Sequence, residues 1–371
     1  MAERERDSSD RSGYLRRLGE AVLVVLGVLL LGGTLFIWSG VYNIGASRDH
    51  FGIVTWLIAQ LRDQSVNASA QGVDVPDLSD PGLAMLGAEH YRSGCAACHG
   101  VPGEPLNPVF TSMLPAPPDL YHAASDYEAA ELFTIIHHGL KYTGMPAWPA
   151  IERADEVWPV VAFLLKVHRE GPQVYDATLA EGQVDEPGTG RIAFENCVRC
   201  HGDDETDLID DLVPRLEGQS AAYLARALTE YRDGTRPSGM MQPIAHEMSD
   251  DEIAELAEYY AGLTALAPAS DLQGEDVEAG RQIFMNGVPE TGVPACASCH
   301  MGANPQFPLL AGQPAAYLMG QLQLWRNGIR AETGYGAIMA TVAQRLTPEQ
   351  AQAVSLYLSW LPLPRDGGDG P

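Results

Sequence analysis

Cys95-Ala-Ala-Cys98-His99, Cys197-Val-Arg-Cys200-His201 and Cys296-Ala-Ser-Cys299-His300 are three copies of one pattern, C-x-x-C-H, in a chain of 371 residues. The spacing has a chemical meaning. Two thiols three positions apart on a short helical turn reach the two vinyl groups of one porphyrin. The next residue then turns its imidazole to the iron as the proximal ligand. A C-x-x-C pair alone also reads as a redox dithiol or as half a zinc site. Three copies, each closed by His and each in its own domain-sized segment, select three covalently attached haem c groups. The motifs use all six cysteines, so none remains for a structural disulfide.

Outward from each motif the sequence repeats. Stretches near 63–82, 170–188 and 264–276 are rich in Gly, Pro, Ala and acids and read as linkers. They bracket three domains, at residues 83–169, 185–264 and 274–363. Before each motif a Gly is followed four positions later by an aromatic residue: Gly87/Tyr91, Gly190/Phe194 and Gly280/Phe284. Positions four apart share a helical face, so each motif is preceded by an opening helix. A closing helix ends each domain. The second starts at the capping box Ser249–Glu252, and the third at Thr347-Pro348-Glu349-Gln350 with Pro at the first helical position. The first runs from Asp155, with Pro159 near its first turn, where proline costs little. A further helix is expected from a capping box at Ser125–Glu128 to His138, stopping at Gly139. The expected fold is all-α. In the third domain, Asn286 to Ala295 is an insertion that puts eleven residues between Phe284 and Cys296, against two between Phe194 and Cys197.

An electron-carrying haem generally takes a second axial ligand, and a Met thioether raises its potential. The candidates are Met145, in Thr143-Gly144-Met145-Pro146-Ala147-Trp148, with Met241 and Met339. They follow His99, His201 and His300 by 46, 40 and 39 residues. Met240 competes with Met241, and His137 and His138 are the alternatives in the first domain. His90, His122, His168 and His246 read as surface or hydrogen-bonded histidines, and Met113, Met301 and Met319 as packing or loop residues. The second and third domains also share Pro214-Arg-Leu216-Glu-Gly218-Gln219 and Pro308-Leu-Leu310-Ala-Gly312-Gln313, read as a turn before a helix that covers a haem edge.

Residues 21–42 carry no charge and match a bilayer crossing of about 20 residues. Residues 1–20 form the preceding tail, and 43–82 a juxtamembrane segment and linker. Arg11, Arg16 and Arg17 favour a cytoplasmic N-terminus. A cleaved signal has an apolar core of only about 7–15 residues, so the length favours a retained anchor. The run Phe51, Ile53, Val54, Trp56, Leu57, Ile58 and Leu61 is too short to span. It reads either as an amphipathic helix on the outer membrane face or as packing for the first haem domain. Hydrophobic residues make up 46% of the chain and charged residues 19%, the composition of packed domains. The net charge of −26 excludes a nucleic-acid partner, which would need a basic surface. It favours either docking to a basic protein or solubility in a salty habitat. Covalent haem, one anchor and an acidic exterior place the chain in a bacterial inner membrane as a single-pass protein, haem domains on the periplasmic side.

Each domain resembles a class I cytochrome c: opening helix, C-x-x-C-H, then a distal Met before the closing helix. Residues 185–363 resemble di-haem cytochrome c4 through the P-x-L-x-G-Q-x-A-A-Y-L and Met-x-x-x-Ala-x-x-Leu/Met-Ser/Thr runs. Residues 83–168 are similar to mono-haem domains in cytochrome subunits of periplasmic dehydrogenases and cbb3-type oxidases. Their match is Leu132-Phe-Thr-Ile-Ile-His-His-Gly139 followed by the Met145 stretch. The resemblance implies that the two c4-like domains pack with haem edges close, with the first domain as a tethered entry or exit point. The expected role is electron relay, not catalysis. A dehydrogenase, a quinol-oxidising complex or a soluble carrier would donate, and an oxidase or another acceptor would receive. The alternatives are a haem enzyme with one open iron, peroxidase-like or a sulfur-compound dehydrogenase, and a permanent subunit of an oxidoreductase.

Overall fold

The computed structural model describes residues 2–181, 192–203, 206–263, 275–301 and 304–362. The chain divides into two units, one of residues 1–58 with 112–114 and one of the remainder.

The first unit holds the anchor. Its helix runs Ala2–Ser39, and the stretch Gly13–Ser39 is long and apolar enough to cross a bilayer, with none of it buried. The chain thus carries a single-pass membrane anchor, and its helix includes 21–39 of the expected 21–42. Gly40 sets the end: its φ of 63° is the left-handed conformation that stops a helix. Tyr42 lies beyond it, bonded through Oη to His50 Nδ1 at 2.5 Å and stacked on that ring. A second helix, Gly52–Ala70, follows. Ile53, Trp56 and Leu57 on it are exposed, whereas Val66 is buried. Its last turns fill the beginning of the stretch 63–82 that composition alone reads as linker.

The second unit contains three separate apolar cores. In the first, the opening helix Pro81–His90 crosses Trp158–Glu170. Asp80 caps the opening helix by accepting from Gly82 N at 2.9 Å, with Pro81 at the first position. The crossing is close because Gly87 has no side chain; a Cβ there would lie 1.9 Å from the Pro159 carbonyl oxygen. One turn on, Tyr91 packs against Phe163 with ring centroids 5.3 Å apart, both fully buried. The third core repeats this plan between Glu275–Asn286 and Pro348–Trp360. A Cβ on Gly280 would lie 2.1 Å from the Ala353 carbonyl oxygen, and Phe284 meets Tyr357 at 5.8 Å. The Gly-then-aromatic spacing is therefore a helix-crossing signature. In the second core, Val198, Leu224, Leu256, Ala257 and Tyr260 pack from the helices Ile192–His201, Ala221–Arg232 and Asp250–Gly262. Gly190 lies outside the described residues.

Local capping sets the helix ends. The boxes Ser249/Glu252 and Thr347/Gln350 form as expected. The helix ending at His138 starts one turn later than Ser125: Ala124–Asp126 is a 3-10 turn, and the box is Glu128/Glu131 before Ala129–His138. Likewise Ala154–Val157 is a 3-10 turn ahead of Trp158. The expected linker 170–188 contains the helix Val174–Glu181. Its Val174 and Tyr175 are buried in the first core, with Tyr175 5.8 Å from Tyr91. Ala and acid content hid two apolar anchors there. Residues 264–274 of the last linker lie outside the described residues. The insertion before the third motif closes on itself through one antiparallel bridge, Val288 to Val293. No sheet forms among the described residues, and the fold is all-α.

Candidate functional site

Each motif histidine is held in the same way. His99 Nδ1 lies 3.0 Å from the Pro118 carbonyl oxygen. His201 Nδ1 lies 2.9 Å from that of Pro214, and His300 Nδ1 2.9 Å from that of Pro308. A carbonyl only accepts, so each Nδ1 carries the proton and donates it. The other nitrogen, Nε2, keeps its lone pair for a metal, the arrangement by which an outer hydrogen bond fixes tautomer and ring orientation. Burial also pushes the pKa of His201 and His300 down, which keeps the rings neutral.

The first motif is entered through a π turn, Tyr91–Cys95, before Ala96–His99. Such turns insert a residue into the helical register and concentrate at functional sites. Tyr91 Oη donates to the Gly100 carbonyl at 2.7 Å and ties the end of the motif back to the opening helix.

Five of the six thiols are half-buried and Cys299 is exposed. Burial pushes Cys95 and Cys296 up to about 11, and Cys197 and Cys200 to about 12. A catalytic dithiol needs the opposite shift, a stabilised thiolate. Among the described residues no three His, Cys, Asp or Glu side chains gather as a metal cluster. The thiols therefore fit porphyrin attachment better than dithiol or zinc chemistry.

The methionine segments differ from one another. Met145 is half-buried on a loop; its amide donates to Thr143 Oγ1 at 3.0 Å and its carbonyl accepts from Leu140 N at 3.2 Å. The loop folds tightly onto the preceding helix at Gly139, which has φ 64° and where a Cβ would lie 2.5 Å from Pro146 C. Met241 opens the short helix Met241–His246, and Met339 lies within Gly336–Arg345. Met240, the competitor of Met241, packs against the first core. His137 is buried with Nε2 2.7 Å from the Ile151 carbonyl oxygen, a bond that commits it to the loop. His90 is half-buried against Trp148 at 4.7 Å, and desolvation pushes its pKa down to about 4.

The P-x-L-x-G-Q runs have a purpose that sequence reasoning missed. Gln219 Nε2 donates to the Leu309 carbonyl at 2.8 Å, and its Oε1 accepts from Leu309 N at 3.0 Å. Gln313 repays the pattern on Arg215, with bonds of 2.8 Å and 3.1 Å. Each glutamine thus acts as a strand edge for the other domain's loop. Arg236 and Arg330 are also buried here, at corresponding places in the two domains. Arg236 lies 4.4 Å over the Tyr231 ring, and Arg330 4.3 Å over Trp325. Neither forms an ion pair among the described residues. Arg236 Nε, Arg330 Nε and Trp325 Nε1 are buried donors without a partner. Burial and the like charge of Arg236 push Arg330 down to about 10. Buried cations with spare donors call for anions. The propionate carboxylates of a haem supply them, so these residues fit the group. The constant offset between Gln219 and Gln313, Tyr223 and Tyr317, and Arg236 and Arg330 was the available signal.

Residues 82–164 and 188–259 match the profile described as cytochrome C oxidase, cbb3-type, subunit III, and residues 277–362 match cytochrome c. The chain is similar to cytochrome c-552 of Acidithiobacillus ferridurans, 34% identical over 193 residues, covering 50% of this chain and 81% of the relative. It is also similar to a protein named thiosulfate dehydrogenase electron acceptor in Stutzerimonas stutzeri, 33% identical over 211 residues, covering 54% of this chain and 94% of the relative. The solved cytochrome c4 of Acidithiobacillus ferrooxidans aligns with 44% of this chain and 98% of its own, at 32% identity and a TM-score of 0.41.

Proposed function

The chain belongs to the multihaem class I cytochrome c family, and from that premise we propose that it is a membrane-tethered periplasmic relay between a respiratory donor and an oxidase or other acceptor. Three covalently attached haem c groups and a general electron-transfer role come with the family. Haem iron supplies the one-electron chemistry when bound. The chain's residues do the rest. Cys95, Cys98, Cys197, Cys200, Cys296 and Cys299 would tether the groups, and His99, His201 and His300 with Met145, Met241 and Met339 would hold the irons. The proline carbonyls orient the imidazoles, and Arg236 and Arg330 would pair with the propionates of bound haem. The haem domains would be those near 83–169, 185–264 and 274–363, with the helix Val174–Glu181 packed on the first. Arg11, Arg16 and Arg17, ahead of the uncharged run that begins at Ala21, support haem domains on the periplasmic side. The relative named as an electron acceptor of thiosulfate dehydrogenase supports a periplasmic dehydrogenase as donor.

The observation that carries this reading is the threefold Nδ1-to-proline bond, which prepares each Nε2 for iron. The test is a redox titration of protein matured in its native host, followed by absorption and EPR, with an intact mass. Three haem additions, low-spin signals throughout and no carbon monoxide binding are expected. A high-spin ferric signal or a carbon monoxide complex would defeat the relay and favour a haem enzyme. The match to cbb3-type oxidase subunit III supports a second reading, a fixed subunit of an oxidoreductase. Co-purification from mild detergent with a stoichiometric partner would favour it.

A further inference from the structure

The second methionine segment is held by a different domain from its own. Ser238 Oγ accepts from Met241 N at 3.0 Å and from Met240 N at 3.3 Å. That hydroxyl donates in turn to Glu156 Oε1 at 2.6 Å, and Gly239 N donates to Glu156 Oε2 at 2.6 Å. Glu156 belongs to the first domain, just ahead of its closing helix. Glu156 and Ser238 are both buried. Arg153 completes the cluster. Its Nη1 lies 2.7 Å from Glu156 Oε1 and donates to the Pro237 carbonyl at 3.1 Å. Trp148 closes the top: a Cβ on Gly239 would lie 2.0 Å from Trp148 Nε1.

The backbone amides of the other two methionines find their acceptors within their own segments. Met145 N uses Thr143 Oγ1 of its own loop, and Met339 N uses the Tyr335 carbonyl at 3.2 Å. A second contact reaches the proximal side of the same site. The buried Glu89 carboxylate of the first domain lies 2.7 Å from Arg92 Nη2 and 3.6 Å from Arg199 Nε, inside Cys197-Val-Arg-Cys200. The first domain therefore touches both the attachment turn and the methionine turn of the second site.

We propose that Glu156 is a positioning residue for the second haem: through Ser238 and Gly239 it fixes the turn that presents Met241, so that the first domain sets the ligation of its neighbour's iron. The connection is short. One carboxylate, one hydroxyl and one amide link the first domain to the backbone of the candidate ligand. A buried carboxylate that accepts two short bonds and faces a guanidinium has little freedom, and neither has the turn it holds. The proposal rests on Met241 being the ligand.

The test uses the full chain with its haems, in four variants. Met241→Ala identifies which of the three redox components belongs to the second haem, because losing a thioether lowers its potential. In Glu156→Ala that same component falls. The weak near-infrared absorption of Met-ligated ferric haem loses up to one haem's share, and the other two components stay in place. Glu156→Gln, which keeps an acceptor for Gly239 N but sets its NH2 against Arg153 Nη1, loses less of the absorption than Glu156→Ala. Ser238→Ala moves the same component in the same direction by less. If Glu156→Ala does not accumulate, Ser238→Ala carries the test, since it leaves the Arg153 pair intact. A Met241-dependent component that stays put in both Glu156→Ala and Ser238→Ala overturns the clamp alone. Equal shifts of all three components also overturn it, because they report general loosening. If Met241→Ala moves no component, the ligand assignment and the clamp fall together.

Discussion

Between the second and third haem domains the two glutamine contacts form a matched pair, whereas between the first and second no such pair is found among the described residues. Gln219 bonds the backbone of Leu309 as Gln313 bonds that of Arg215, and Arg236 mirrors Arg330. A surface that meets a near copy of itself makes every favourable contact twice, the logic of a two-fold interface between identical subunits. The first junction has no such partner surface. It relies on buried carboxylates of the first domain, chiefly Glu156 with Arg153 and Trp148 around it, and also Glu89 facing Arg199. Repetition thus supplies a symmetric junction without new residue types. Joining an unlike domain needed a dedicated charged group, and burying that group raises its pKa despite Arg153.

The largest break in this comparison is Gly239→Ala. The added carbon would lie within 2.0 Å of Trp148 Nε1, so the first junction must open. A loss of about 3 kcal/mol is expected in thermal or denaturant unfolding of the holoprotein, the upper range for overpacking. A neutral outcome would mean that the junction is not closed in solution. Next come Gln219→Ala and Gln313→Ala, each of which strands a backbone N–H and a carbonyl. Each should cost about 2 kcal/mol, and by nearly the same amount. Clearly unequal losses would break the symmetry argument.

The smallest effect sharpens the contrast through pH. His90 supports Trp148 at the first junction and is kept neutral by burial, its pKa depressed from 6.5 to about 4. Its contribution is complete above the unfolded value of 6.5 and is lost as pH falls toward 4. Near pH 5 the loss is about 1–2 kcal/mol. The glutamines of the second junction do not titrate in this window. Unfolding curves of wild type and His90→Asn should therefore converge as the medium is acidified; parallel curves would show that His90 charges freely in the fold.

Much of this was readable from residue order. Gly87/Tyr91 and Gly280/Phe284 announced the helix crossings because a helix brings position i+4 onto the same face. Thr347 and Ser249 announced helix starts because a cap acts within three residues. The helix Val174–Glu181 was missed because its apolar anchors, Val174 and Tyr175, are adjacent residues, and no period can be read from one such pair. Glu156 was missed because an acid beside Asp155 at a helix start reads as an ordinary solvated first turn. Gln219 and Gln313 were found as a repeat but assigned to turns, since nothing along the chain says that a side-chain amide will meet a backbone from another domain.

Residue order alone settled the three haem attachments, the all-α fold and the membrane anchor. Each follows from atoms that are neighbours along the chain, so covalent geometry and helical pitch determine them. Folding in three dimensions decided which proline carbonyl steadies each imidazole, which glutamine answers which loop, and that a carboxylate at 156 would grip a turn 82 positions away. Those contacts exist only once apolar surfaces have docked, and docking depends on the summed shape and burial of many side chains, which no local spacing records.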